Sequence, residues 1–289
     1  IISDEKLDVP LLTRCGKELE NLCVLIDLTD VDTRNWFKNR IQQLKKQLSI
    51  DGFIFINGQS SLTPTQVHEE YSYINPDNYL VYYKQVAQES SSTMGLSSCP
   101  QVENFNGFVN IKITEKSWTT IKSIIPTILT LGLIGYPFVS IENLKEIDIN
   151  DKELQFRWLQ LTMFLPLVQL NEQVLNEEQE FNEQIKSLLK IRETRLMNEF
   201  GKSLYEYKTQ RIPIVRPMWW VQVDSKDAYK IDKQFAIGND LIVAPVLEKN
   251  KTEIDIYLPS GWWQDEINHQ IVRGGKWMKN YQVPIDKIA

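Results

Sequence analysis

Apolar residues fall in two alternating rhythms over roughly the first 210 residues, short continuous runs and longer stretches of helical period, as in repeated βα units. Cys23-Val24-Leu25-Ile26 reads as a buried parallel strand ending in the polar Asp27-Leu28-Thr29-Asp30. From Asp32 to Leu48 the apolar positions Trp36, Phe37, Ile41, Leu44 and Leu48 predict a helix capped by Asp32 or Thr33. Phe53-Ile54-Phe55-Ile56 predicts a second strand that breaks at Asn57-Gly58, and Asn75-Pro76-Asp77 opens a helix through about Gln88. Further along, Asn106 to Ile113 reads as a strand and loop, Trp118 to Leu131 as a helix, and Gly135 to Val139 as a strand. Lys152 to Phe164 and a long polar stretch from about Glu177 to Tyr207 complete the helices. Strands separated by crossover helices argue for a parallel α/β architecture, and no Gly-rich phosphate loop follows any strand. A barrel therefore fits better than a doubly wound sheet.

The pattern changes after Arg211. Ile242 to Val246, Ile254 to Leu258 and Gly261-Trp262-Trp263 are short β-type runs between turn residues, with no long helical period. The expected domains are 1–210, α/β, and 211–289, a small all-β region.

Composition narrows the function classes. The 289 residues carry a formal charge of −6, with a sequence pI near 5.2. An acidic surface with no basic block makes nucleic acid a poor partner. No apolar run reaches the ~18 residues of a membrane span. The opening Ile1-Ile2-Ser3-Asp4 is neither an initiator Met nor a signal peptide, so the segment reads as processed or cut from something longer. Cys15, Cys23 and Cys99 cannot all pair within one chain, and His68 and His269 stand far apart, so neither a zinc site nor a cofactor is expected. The acidic stretch from Asn171 to Glu183 reads as a solvated helix face. Asn250-Lys251-Thr252 is an N-glycosylation sequon in a charged turn.

Several blocks occur in a telling order: Gly135-Tyr136-Pro137-Phe138-Val139, then ELQFRWLQ from Glu153 to Gln160, then Gln169 after Phe164-Leu165-Pro166. Pro213 to Trp220, Ile231 to Phe235, Gly238 to Val246 and Asp255 to Trp263 follow. From about residue 20 onward this order resembles glycoside hydrolase family 31, and within it the myogenesis-regulating glycosidase type. The resemblance implies a partial (β/α)8 barrel, with about six of the eight βα units present, followed by a β domain. Its implied partner is the rest of the barrel, from the N-terminal part of the same protein or from another chain. A glycan is a further partner, any membrane anchor would lie outside this segment, and the implied location is the secretory lumen or the cell exterior.

The family's chemistry is retaining α-glycoside hydrolysis, which needs a carboxylate nucleophile and a carboxylic acid/base roughly 5–5.5 Å apart. Matched position by position, the nucleophile falls on Ile56, with Asn57 one residue on and a family Glu replaced by Gln59. Anchored on Trp118, the acid/base falls on Ile113 and a family Arg on Asn110. Neither isoleucine attacks an anomeric carbon or protonates a leaving oxygen. Glu115 and Glu142 are the only substitute carboxylates that the match offers, Glu142 replacing a family Asp. Asp27 matches a strand-end Asp of the family, while Asp51 starts a strand, at the wrong end for catalysis. The expected sugar-facing residues are Asp27, Asn57, Gln59, Trp118 and Glu142. Trp158, Trp219, Trp220, Trp262 and Trp263 are expected to pack rather than bind. The sequence thus reads as a degenerate glycosidase serving binding, scaffold or regulation, with an active enzyme on displaced carboxylates as the alternative.

Overall fold

The computed structural model describes residues 3–4, 9–10, 12–15, 21–55, 76–90, 94–96, 107–111, 113, 115–141, 151–170 and 179–289. They form two compact units, Ile1–Ile111 and Lys112–Ala289.

In the first unit, β1 (Ser3–Asp4) and β2 (Val9–Pro10) form a short antiparallel ladder. Strand β3 (Leu12–Cys15) pairs antiparallel with β4 (Asn21–Val24) in the register Leu12↔Val24 to Cys15↔Asn21. This corrects the expected buried parallel strand at Cys23–Ile26. Leu22 is 68% exposed and Val24 41%, because the run finds a hairpin partner that supplies its hydrogen bonds without covering its faces. Helix α1 (Val31–Leu48) is capped by Asp30, not Asp32 or Thr33: the Asp30 carboxylate accepts from Thr33 N at 2.7 Å. Strands β5 (Phe53–Phe55), β6 (Met94–Leu96) and β7 (Phe108–Ile111) run parallel, with helix α2 (Pro76–Ser90) crossing between the first two. That βαβ crossover is the predicted repeat unit. Phe55 meets Tyr83 of α2 edge-on at 6.0 Å, and Val86 and Ala87 of the same helix are fully buried. Arg34 ties α1 to α2: its guanidinium donates to Leu28 O and Thr29 O, and lies 4.5 Å from the Tyr82 ring centre.

In the second unit, helix α3 (Trp118–Leu133) is capped by Ser117 and buries a stripe of Ile121, Ile124, Ile125 and Ile128. Strand β8 occupies Val139–Ile141, later than the expected Gly135–Val139, because Gly135 (φ 104°) turns the chain out of α3. Helix α4 (Lys152–Met163) follows, with Trp158, Leu159 and Leu161 fully buried. The long polar helix is really two, α5 (Gln179–Ile191) and α6 (Met197–Gln210), joined by a π turn at Arg192–Leu196. At the turn, Arg192 donates to Met163 O, Leu165 O and Pro166 O at 2.6–2.8 Å, so the wider backbone coincides with a cation capping the segment after α4.

Strand β9 (Val215–Arg216), short helix α7 (Met218–Val221), and strands β10 (Phe235–Ile237) and β11 (Leu241–Val243) come next, with antiparallel order β11-β10-β9. Strand β12 (Glu253–Leu258) pairs with β15 (Lys276–Gln282), and β13 (Trp262–Gln264) with β14 (Ile271–Arg273). Ala244, Val246, Ile256, Leu258, Tyr281 and Val283 make the core of this β region. Buried Arg157 and Gln160 of α4 join it to the helices by bonding main-chain oxygens at Lys251 and at Pro284 to Lys287.

Candidate carbohydrate site

Residues predicted for the site occur in both units. In the first, Asp27 ends the segment after β4 and its Oδ1 accepts from Thr29 N at 2.9 Å and Thr29 Oγ1 at 2.6 Å. This is a side-chain turn that fixes the loop leading into α1. Its charge also reaches α2: burial first, then Asp27, push the Tyr79 hydroxyl up to about 12. Ile56, Asn57, Gln59 and Glu142 lie outside the described residues, as does His68.

In the second unit Ile113 is half-buried and Glu115 exposed. Trp118, the first residue of α3, is half-buried, and its indole N–H donates to Asp151 Oδ2 at 3.0 Å. The hydrogen bond fixes the ring without using its π face, which is the part a sugar would stack on. Asp151 was not singled out by sequence, although its place immediately before the helical period at Lys152 marks it as a cap. It accepts from Leu154 N at 3.1 Å and from Lys249 Nζ at 2.8 Å as well. One carboxylate therefore joins α3, the start of α4 and the turn before β12.

Partial burial raises the Asp151 carboxyl, but hydrogen bonds from Lys249, Leu154 and Trp118 outweigh that and hold it below its ordinary 3.8. A depressed folded value contributes stability that is present above 3.8 and lost as the pH falls through the lowered value. The Asp151→Asn variant is expected to lose less stability than the parent between about pH 5 and pH 2. Identical acid limbs in the two denaturation profiles would sink this assignment.

The sequon Asn250 sits next to this junction. It is exposed, adopts a left-handed φ of 57°, and donates its main-chain N–H to both Glu153 oxygens at 3.0 and 3.1 Å. Asn tolerates that backbone better than most residues. The side chain is left facing solvent. Among the described residues no group of three His, Cys, Asp or Glu side chains is placed to hold a metal, and no helix is long and apolar enough to cross a membrane.

The expected packing role holds for Trp158, which is fully buried on α4. Trp263 is half-buried and donates to Pro259 O at 2.8 Å, whereas Trp262 is 73% exposed. Trp219 and Trp220 are only half-buried.

The family model for the glycosyl hydrolases family 31 TIM-barrel domain matches residues 11–200, and that for the family's C-terminal domain matches residues 211–289. Myogenesis-regulating glycosidase from Mus musculus is 26% identical over 280 residues, covering 92% of this chain and 39% of that protein. SITS-binding protein from Tetronarce californica is 26% identical over 276 residues, covering 92% of this chain and 40% of that protein. The chain spans about two fifths of the length of these relatives. Among solved structures, a family 31 sulfoquinovosidase from E. rectale superposes with a TM-score of 0.80 at 20% identity, over 97% of this chain and 45% of that one. At that identity the likeness speaks for the fold alone. The parallel βαβ unit, the helices after it and the closing β region are accordingly part of the family's barrel followed by its C-terminal domain: the chain belongs to glycosyl hydrolase family 31.

Proposed function

We propose that this protein is a degenerate family 31 glycosidase that does not hydrolyse glycosides, serves as a binding, scaffold or regulatory component, and retains carbohydrate binding. The observation that carries this reading is the residue at the motif position of the acid/base. Ile113 is an isoleucine, half-buried in the loop before α3, and it has no proton to give. At the nucleophile position the sequence has Ile56. Without the two carboxylates neither a glycosyl-enzyme intermediate nor leaving-group protonation is available, the latter alone worth roughly 10²–10⁴-fold.

The alternative, hydrolysis by displaced carboxylates, rests on Glu115 and Glu142. Glu115 is exposed in its loop, which gives it no enclosed surface against which to orient a glycosidic oxygen. The test is an assay of the full-length protein on aryl α-glucosides and α-galactosides beside its Glu115→Gln variant. Both are expected to stay at background. Wild-type turnover abolished by Glu115→Gln would establish the alternative.

The same reading places the protein in the secretory lumen or outside the cell. Cys23 is disulfide-bonded, as suits an oxidising compartment, and the exposed Asn250 turn is open to glycosylation. Mass spectrometry of native material is expected to find the glycan and the disulfide. Unmodified Asn250 together with three free thiols would overturn the location. The partner in this reading is the remainder of the barrel, from the same protein or another chain. Exposed Leu22, Val24 and Ile54 on β4 and β5 are apolar surface that such a segment would cover.

A further inference from the structure

We propose that Trp219, Trp220 and Tyr229 form a surface site for a neutral oligosaccharide, a role that the reading of the barrel mouth neither requires nor supplies. Helix α7 has four residues, too few to turn both tryptophans inward. Met218 goes fully into the core, while Trp219 lies against the cluster of Met218, Ala228 and Tyr257 with part of its ring outside. The Tyr229 ring lies parallel to it, with 2° between the planes and 6.1 Å between centroids. Trp220 flanks the pair, its ring tilted 44° at 5.8 Å. With Val223 they line an open depression of about 530 Å³, within the roughly 300–1,000 Å³ of small-molecule sites. Tyr229 is 58% exposed and Val223 67%.

Size and chemistry narrow the occupant. Four residues are far short of the roughly 800 Å² per partner that a stable protein interface covers. Three of the four are aromatic, and stiff flat rings with a negative π face suit the C–H faces of pyranose rings. The exposed residues of the same segment include Asp224 and Asp227 against Lys226 and Lys230, so its formal charges cancel. That balance offers hydrogen-bonding groups without favouring an anion, which selects a neutral sugar chain over a phosphorylated or sulfated one. Asp227 is held in place by the Trp277 indole N–H at 3.2 Å.

The test uses hydroxyl-radical footprinting and calorimetry on the full-length protein, with maltotetraose and cellotetraose as probes. One of them is expected to protect both Trp220 and Tyr229. A Trp220→Ala/Tyr229→Ala variant, which leaves the core-packed Trp219 in place, is expected to weaken that binding about tenfold or more. Tyr229→Phe keeps the ring and is expected to keep the binding. Trp118→Ala reads the barrel mouth separately, so failure there leaves this result standing. Protection of both rings before any sugar is added would show them covered by another part of the protein and overturn the proposal. So would binding unchanged in the double variant, or no binding of either probe.

Discussion

An Arg157→Leu variant is expected to lose about 1.5–3 kcal/mol of stability, because it removes the hydrogen bonds of a buried cation to main-chain oxygens. Arg157 is 1% exposed. Its Nη1 donates to Gln160 Oε1 at 3.0 Å, Lys287 O at 3.2 Å and Pro284 O at 3.5 Å, and its Nη2 to Lys251 O at 3.3 Å. Burial lowers the guanidinium below its ordinary value, and the charges of Glu153 and Asp286 only partly restore it. Leucine fills the space but donates nothing, so Lys251 O loses its Arg157 partner, while Pro284 O keeps Lys287 N and Lys287 O keeps Gln160 Nε2. Gln160 still bonds Ile285 O and Lys287 O, so the closing segment is expected to loosen rather than detach. The measurement is the denaturation midpoint, together with hydrogen exchange over residues 251–258 and 281–287. Arg157→Lys keeps the charge without the planar fork and is expected to fall between the two. A loss for Arg157→Leu below about 1 kcal/mol would mean that these hydrogen bonds are replaceable by water.

The second large effect is expected at Gly274, where alanine should cost about 3 kcal/mol. A Cβ there would lie 1.8 Å from Pro259 O, 3.0 Å from Pro259 C and 2.9 Å from Trp263 Nε1. The first two are main chain and cannot swing aside. The same carbonyl already accepts from Trp263 Nε1 at 2.8 Å, and Gly274 N donates to Gly261 O at 2.8 Å. The substitution therefore pushes the β13–β14 hairpin away from the end of β12. Gly275, next door, has a positive φ of 76° but no clash, its nearest atom in ordinary contact at 3.5 Å. Its alanine variant carries only conformational strain, about 1 kcal/mol. Tryptophan fluorescence during unfolding reads both. Gly275→Ala proving as harmful as Gly274→Ala would show that strain, not the close approach, governs this turn.

What the sequence discloses here follows from what each signal measures. Helix α3 is legible because one apolar stripe against one core produces the period directly, with Ser117 as a polar stop in front. Helix α4, in contrast, is buried all round from Phe156 to Met163 and is marked by its apolar content and by Asp151 in front. The run at Cys23 misleads because an apolar run reports hydrophobicity, not partner or direction. Its partner β3 alternates Leu12 with Thr13 and Arg14 and gives little warning of itself. Strand β6 is hidden for a similar reason, since Met94-Gly95-Leu96 is too short to show a period. The break at Arg192 leaves the helical period almost intact, and only the three carbonyls gathered by its side chain reveal it. The site is legible through motif order: Ile113 and Trp118 are found by their neighbours in sequence. That Asp151 also holds Trp118 in place is found only in space.

The separation in sequence between Arg157 and its acceptors has a consequence for biosynthesis. Arg157 and Lys287 are 130 positions apart. At roughly 5–20 residues per second, a ribosome releases the helix about 6–26 s before it releases the last oxygen that satisfies it. For that interval the Arg157 guanidinium, next in sequence to the fully buried Trp158, has Gln160 of its own helix but not its later main-chain acceptors. The main-chain contacts of Arg157 with residues 284 to 287 therefore form only after α4 has left the ribosome, which makes this junction a late step in folding.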